Sequence, residues 1–332
     1  MDNLTHTAIG LFLARAGAGK WSPRATAILL VAANAPDIDI LSGLPSPLAY
    51  LEYHRGIAHT LVALPVLALL SVALVRVAGR KAVYWPGAFA AALVGVASHL
   101  LLDWTNIYGI RMLLPFSARW LRLDTMAVVD PWIWVLAAAA LAGPFLARLI
   151  GSEVASGGAR PRHHGRAAAV FALAGVVAIN CGRLVAHSRA IEMLDARTYQ
   201  GESPTRAAAF PNPLNPLRWR GLVETPAFYA MTDVDVAGDF DPTRALILYK
   251  PDADPALDDA ARTPAFRAFL SFDQYPLWRV TAAPAIEGGK LVELFDLRFG
   301  NPSAPGFQAT AVVDANQRVV DSKFSFGALR SR

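Results

Sequence analysis

Charged residues are scarce in this chain. Only 17% of its 332 residues are Asp, Glu, Lys or Arg, against about 25% in ordinary soluble domains, and 54% are hydrophobic. The chain has a single cysteine, Cys181, which excludes an intrachain disulfide and a zinc site built from several thiolates. The start of the chain carries Asp2 and His6 instead of a basic segment, so we expect no cleavable signal peptide of the usual form. This composition is typical of a membrane protein.

Long apolar runs fill the first part of the chain. A membrane-spanning helix needs roughly 20 apolar residues. Four runs predict clear spans: Leu61–Ala78, Ala88–Leu102, Trp132–Ile150 and Ala167–Ala186. Two more, Leu4–Ala14 and Ala25–Ala35, are too short to be assigned as spans and predict short helices against the bundle or a re-entrant pair. Residues 1–187 are therefore predicted to form an α-helical polytopic membrane bundle of four spans plus two short N-terminal hydrophobic helices.

Basic residues flank these runs unevenly. By the positive-inside rule, loops rich in Lys and Arg face the cytoplasm. The loops on one side of the predicted helices hold ten basic residues: Arg15, Lys20, Arg24, Arg76, Arg80, Lys81, Arg148, Arg160, Arg162 and Arg166. The loops on the other side hold four: Arg55, Arg111, Arg119 and Arg122. The first set is predicted to be cytoplasmic. The opposite ends of the runs, and the chain after residue 187, are then predicted to lie outside.

The composition changes after the last run. Polar and apolar residues alternate in short segments separated by turn residues, a pattern typical of antiparallel hairpins. The predicted strands are Ala245–Lys250, Leu277–Ile286, Leu291–Phe299, Gln308–Val313 and Val319–Phe326. Residues 188–332 are therefore predicted to form a mainly β extracytoplasmic domain.

Histidine and aspartate cluster at the predicted outer ends of the apolar runs. The set is His6, Asp37, Asp39, His54, His59, His99 and Asp103. Ionisable groups next to hydrocarbon are costly and usually functional. Each group alone also has a structural explanation: a hydrogen bond between helices for His99, an Asx turn for the aspartates after Pro36, and a polar interfacial loop for His54 and His59. Their joint occurrence on one side favours a metal site.

The spacing within the cluster fits metal binding. His99 and Asp103 are four residues apart, so a helix presents them on one face. Imidazole and carboxylate suit Zn²⁺ best, with Mn²⁺ or Fe²⁺ as alternatives. The candidates outnumber the ligands of one catalytic zinc, which leaves two possibilities: a two-metal site, or one metal with additional positioning and acid–base residues.

The same residues resemble a known family. His6, Pro36-Asp37-Ile38-Asp39, His54 through Thr60, His99 through Asp103 and Tyr108-Gly109 are similar to the pattern of the YdjM-type bacterial inner-membrane proteins, described as metal-dependent hydrolases. Asp130-Pro131 matches the family's next acidic position. The resemblance covers roughly residues 1–187. A fainter similarity links the order of ligands to zinc-dependent phospholipase C and P1-type nucleases, whose additional downstream ligand pair is not found here.

The predicted function is a membrane-bound, phosphoesterase-like hydrolase. We predict His6, Asp37, Asp39, His59, His99 and Asp103 as ligands of one or two divalent ions, and His54 and Arg55 as catalytic residues. His54 would ligate or transfer a proton, and Arg55 would bind a negative substrate group or else only contact the interface. A site at the outer membrane face suggests a phosphorylated or lipid-linked envelope substrate, with membrane lipids and no nucleic acid as partners.

Two other functions remain open at this point. An ion or proton transporter would use the same His and Asp residues as a path, but would spread them through the depth of the membrane. A metal-stabilised anchor for the C-terminal domain would have a closed site with four ligands and no turnover.

Overall fold

The computed structural model describes residues 1–80, 82–154, 164–284 and 286–327, without the side chains of 147–164. The predicted cytoplasmic residues Lys81, Arg160 and Arg162 lie outside the described residues. The chain forms two compact units. The helical unit comprises Met1–Ile38, Arg55–Ser188 and Pro211–Leu217, and the β unit comprises Asp39–His54, Arg189–Phe210 and Arg218–Arg332.

Most of the first 195 residues are helical. In chain order the helices are α1 (Asn3–Ala16), α2 (Ala25–Ala32), α3 (Pro47–Tyr53), α4 (Ala63–Gly79), α5 (Trp85–Thr105), α6 (Pro131–Val154) and α7 (His164–Asp195). The prediction of helices at all six apolar runs is confirmed. The last helix continues past Ala186 to Asp195, so residues 188–195, predicted to begin the β domain, are helical.

The number of spans is less definite than the predicted four. Among the residues that the structure describes, two helices are long and apolar enough to cross a membrane, α5 and the Gly165–Asp195 part of α7. The number rises to four if two bent pairs each count as one span: α2 with Pro36–Gly43, and Pro47–His59 with α4. The apolar part of α6, Pro131–Leu146, is shorter. The helical region therefore has two to four candidate spans.

Small residues let the helices of the helical unit approach closely. A Cβ atom at Gly95 of α5 would lie 2.8 Å from the Cβ of Ala32, and one at Gly10 of α1 would lie 3.0 Å from the Cβ of Ala33. Both alanines are at the end of α2 and fully buried. These contacts leave no room for larger side chains. The small residues therefore let the backbone at the end of α2 lie against α5 at the level of His99.

The β unit contains two four-stranded antiparallel sheets. The first has the strand order β1 (Arg206–Pro211), β2 (Arg218–Glu224), β3 (Phe228–Asp235), β4 (Leu246–Tyr249). The second has the order β10 (Val319–Phe326), β9 (Phe307–Val313), β6 (Lys290–Asp296), β5 (Pro276–Ala282), and a short pair is formed by β7 (Gly300–Asn301) and β8 (Ala304–Pro305). All five predicted strands are present, which confirms a mainly β C-terminal region; β5 and β6 end earlier than predicted.

Two helices cover part of the second sheet. They are α8 (Pro255–Ala261) and α9 (Pro264–Phe272), which the sequence reasoning missed. Phe266, Phe269 and Phe272 lie on one face of α9 and are fully buried. This i, i+3, i+6 spacing is the apolar stripe of an amphipathic helix. It forms the centre of the core of the β unit.

Candidate metal centre

Four side chains of the helical unit converge on one point. His99 and Asp103 lie one turn apart near the end of α5, as the spacing of four predicts. His59 ends a 3-10 turn, Ile57–His59, and Asp37 is the second residue of another, Pro36–Gly43. His59, His99 and Asp103 are fully buried, and Asp37 is 7% exposed. Three separate segments of the chain therefore contribute to one buried cluster.

Five of the six separations between the ligand atoms of this cluster are similar. The Nε2 atoms of His59 and His99 are 3.2 Å apart. The Oδ2 of Asp103 lies 3.4 Å from each of these nitrogens. The Oδ1 of Asp37 lies 3.4 Å from the His59 Nε2 and 3.6 Å from the His99 Nε2. One atom from each residue thus faces a common centre.

The hydrogen bond on the other side of His99 fixes its tautomer. Its Nδ1 lies 2.8 Å from the backbone oxygen of Ala33, which can only accept a hydrogen bond. The Nδ1 therefore carries the proton, and the Nε2 presents a lone pair to the cluster. The close approach of the end of α2 to α5 places this carbonyl.

The chemistry of the set fits a divalent cation. Asp103 Oδ2 is buried and has no hydrogen-bond partner among the described residues. An unpaired carboxylate oxygen facing the Nε2 lone pair of His99 and a second carboxylate would be repelled without a positive charge between them. Two carboxylates with two neutral imidazoles balance a charge of +2. This buried His/Asp group can hold a metal ion, with Asp37, His59, His99 and Asp103 as ligands.

Arg55 and Asn106 hold the other oxygen of Asp103. The Arg55 Nη2 donates to Asp103 Oδ1 at 2.9 Å, and the Asn106 Nδ2 donates to the same oxygen at 3.1 Å. The Arg55 Nη1 also donates to the Asn106 Oδ1 and to the backbone oxygen of Gly109, and its guanidinium lies over the ring of Tyr108. Arg55 is 2% exposed, so its guanidinium does not reach the surface of the protein. Its observed role is to position Asp103, and its catalytic role stays a prediction.

The sequence reasoning did not include Asn106. Its side-chain oxygen accepts hydrogen bonds from the backbone amides of Tyr108 and Gly109, at 2.9 and 3.2 Å, as well as from Arg55. It therefore joins the end of α5 to the following loop. The available signal was its position three residues after Asp103, which places both side chains on one face of the helix end.

His6 lies beside the cluster and not among its four ligand atoms. Its ring stacks on that of His99, with 3.7 Å between centroids. Its Nε2 is 3.5 Å from Asp103 Oδ1, and neither ring nitrogen has a hydrogen-bond partner in the part of the chain that the structure describes. The nitrogen of Met1 also contacts Asp103 Oδ1. The prediction of His6 as a ligand stays a prediction.

Asp39 and His54 belong to the β unit. The Nδ1 of His54 lies 2.8 Å from Asp39 Oδ1, and the His54 ring stacks on Tyr50 with 4.4 Å between centroids. Each of the two residues is thus among the observed partners of the other. The metal-ligating role predicted for Asp39 and the catalytic role predicted for His54 stay predictions.

The remaining predicted polar residues have structural contacts. Asp130 accepts hydrogen bonds from the first backbone amides of α6 and forms a buried ion pair with Arg183 of α7. Arg122 is paired with Asp124, Arg111 lies over the ring of Trp120, and Arg119 is exposed. These contacts order the loop between α5 and α6.

Comparisons with known proteins agree with the location of the cluster. The family model described as YdjM inner membrane protein matches residues 1–189, which include all four ligands. An uncharacterized protein of Bacillus subtilis (strain 168), YfhP, is 28% identical over 155 residues, which are 43% of this chain and 46% of that protein. The match thus spans less than half of that relative. No solved structure matches this chain.

Proposed function

The chain belongs to the YdjM inner membrane protein family, and from this premise we propose that it is a membrane-bound hydrolase dependent on a metal ion held by Asp37, His59, His99 and Asp103. The observation that carries the proposal is that five of the six separations between the four ligand atoms lie between 3.2 and 3.6 Å. The apolar helices and the family together support a membrane protein.

The spacing favours zinc as the ion. Zinc bonds to imidazole nitrogen and carboxylate oxygen are about 2.0–2.2 Å long, so the ligands at the corners of a tetrahedron are about 3.3–3.6 Å apart. The five measured separations lie between 3.2 and 3.6 Å. Neighbouring ligands of an octahedral magnesium ion would be about 2.8–3.0 Å apart, and magnesium prefers oxygen. The set therefore suits zinc better than magnesium.

The contacts of Asp103 leave no place for a second ion at this ligand. A second ion there would use the free oxygen of the carboxylate, Oδ1. That oxygen already accepts hydrogen bonds from Arg55 and Asn106. The buried guanidinium of Arg55 would also repel a second cation at this position. We therefore propose that Arg55 supplies the positive charge that a second metal would bring.

The reaction follows from the roles of the protein side chains. A bound divalent ion would polarise a phosphoryl or carbonyl oxygen and lower the pKa of water. His99 and Asp103 keep their lone pairs aimed at the centre because Ala33, Arg55 and Asn106 hold their outer atoms. Among the four ligands, Asp37 has the largest exposed fraction, 7%, so we propose that water and substrate reach the ion on its side.

The substrate class is inferred from the position of the site. The four ligands lie at the helix ends that the distribution of basic residues assigns to the outer face. We propose a phosphoester or lipid-linked envelope substrate at this face, with the β unit outside. His54 and Arg55 stay the predicted catalytic residues.

A metal-stabilised anchor is the second candidate. The cluster has four protein ligands, the number found in closed structural zinc sites, whereas catalytic sites usually have three. In this case the ion would tie α5 to the segments that carry Asp37 and His59, and nothing would be hydrolysed.

Turnover distinguishes the two candidates. Full-length protein loaded with zinc in mild detergent is assayed on phosphodiester and lipid-phosphate substrates, beside Asp37→Asn and a control in an exposed carboxylate, Asp195→Asn. We expect the wild type to hydrolyse these substrates, and we expect a chelator to abolish this activity and zinc to restore it. Asp37→Asn should lower the activity at least about 100-fold, and the control variant should retain it. Protein that binds one zinc per chain yet hydrolyses none of these esters would overturn the hydrolase and support the anchor.

A further inference from the structure

The chain between two of the metal ligands belongs to the β unit. It leaves the helical unit after Ile38, one residue past the ligand Asp37, and returns at Arg55, four residues before the ligand His59. We call the intervening segment, Asp39–His54, the strap. Because its two ends are covalently continuous with two ligand-bearing turns, anything that fixes the strap also restricts these turns.

The first and last residues of the strap contact each other. Its first residue, Asp39, and its last, His54, are joined by the 2.8 Å contact between Oδ1 and Nδ1. The His54 backbone amide donates to the Tyr50 oxygen at 2.8 Å, so the end of α3 leads directly into this contact. The two ends of the strap are thereby held together.

The strap is also docked within the β unit. Its helix α3 begins at Pro47 behind a Ser46 cap and packs on α9 and β10. Leu51 on this helix is 1% exposed, although seven residues are too few to form a stable helix alone. The docking surface is therefore what makes this segment ordered.

Tyr50 is the centre of this docking. Its ring stacks on His54 at 4.4 Å and contacts Phe326 of β10 edge-on at 5.5 Å. A Cβ atom at Gly43 would lie 2.9 Å from the Tyr50 ring, so glycine is required where the two halves of the strap meet. One aromatic side chain thus connects the last residue of the strap with the second sheet.

We propose that the β unit positions the metal site: by holding the strap through Tyr50, it fixes the turns that carry Asp37 and His59. This role rests on the metal site of the proposed function and gives the C-terminal region a task in it. Tyr50 is then a positioning residue that acts through the strap. Metal affinity depends on the docking of α3, and metal binding in return stabilises the docked strap.

The test is zinc affinity, measured on full-length protein in detergent by competition with a chromophoric chelator. We expect Tyr50→Ala to weaken binding about tenfold, which corresponds to the loss of a favourable aromatic contact. Gly43→Ala, which displaces the ring without removing it, should act in the same direction. Tyr50→Phe keeps the ring and should bind zinc more tightly than Tyr50→Ala. The matched control is Tyr249→Ala, an exposed tyrosine on β4 of the other sheet.

Hydrogen exchange at the His59 and Thr60 amides provides a readout that needs no metal. These amides donate to Gly56 and Ile57 in the turn after the strap, and we expect them to exchange faster in Tyr50→Ala than in Tyr249→Ala. Equal zinc affinities in the two variants, or equal losses, would overturn the proposal. If the wild type had no affinity for zinc, the proposed function would be wrong instead. Hydrogen exchange alone would then test the positioning role, and equal rates in both variants would refute it.

Discussion

We expect His99→Gln to weaken zinc binding by at least about 100-fold. Zinc sites with four protein ligands contribute roughly 10–16 kcal/mol, so one ligand accounts for several kcal/mol, and each 1.4 kcal/mol is a factor of ten. Glutamine is similar in size but cannot present the Nε2 lone pair that faces the cluster. The measurement is a competition titration on the purified full-length variant.

The control for this experiment is His187→Gln. It makes the same change in the same unit, at a half-buried position on α7 outside the four-ligand set. It should bind zinc like the wild type. If His99→Gln also bound zinc like the wild type, His99 would not be a ligand, and the interpretation of the cluster as a metal centre would be wrong.

We expect Arg55→Met to destabilise the protein by about 3–5 kcal/mol, the usual cost of removing one partner from a buried ion pair. The change removes the guanidinium from Asp103 and leaves the oxygens of Asn106 and Gly109 without their shared donor. Arg55→Lys should recover only part of this loss, because the ammonium group of lysine cannot donate to all three acceptors as the planar guanidinium does. The free energy of unfolding is measured with denaturant in detergent.

Zinc affinity provides the second readout for Arg55. Substituting a residue that hydrogen-bonds to a metal ligand typically weakens metal affinity 10- to 100-fold. Arg55→Met should therefore bind zinc more weakly by about this factor. The exposed Arg119 is the matched control, and Arg119→Met should change neither stability nor affinity. Unchanged zinc affinity in Arg55→Met would contradict the positioning of Asp103 by this guanidinium.

The sequence predicted the members of the metal cluster better than their arrangement. His99 and Asp103 are four apart on a continuous helix, where periodicity alone places both on one face. The arrangement of Asp39 and His54 could not be predicted in this way, because Asp39 lies in a 3-10 segment and His54 follows a short helix whose direction depends on packing in the β unit. Asn106 was missed because a single amide has no spacing pattern that marks it.

In the β unit, too, some elements were predicted from the sequence and others were missed. The strands around Leu277, Gln308 and Val319 were found from alternation and turn residues. The strands β1, β2 and β3 were missed because runs of their consecutive residues are buried, as Ala208, Ala209 and Phe210 are in β1. Burial on both faces removes the alternation on which strand prediction depends. The docking of α3 depends on residues about 270 positions away, such as Phe326, and has no local signal.

Zinc K-edge X-ray absorption on purified full-length protein tests the metal centre most directly. We predict one zinc per chain with four nitrogen and oxygen ligands at about 2.0–2.1 Å and the scattering pattern of two imidazoles. Metal-free protein that takes up no zinc on reconstitution, or an ion surrounded by six oxygens without imidazole, would contradict the assignment of Asp37, His59, His99 and Asp103 as its ligands.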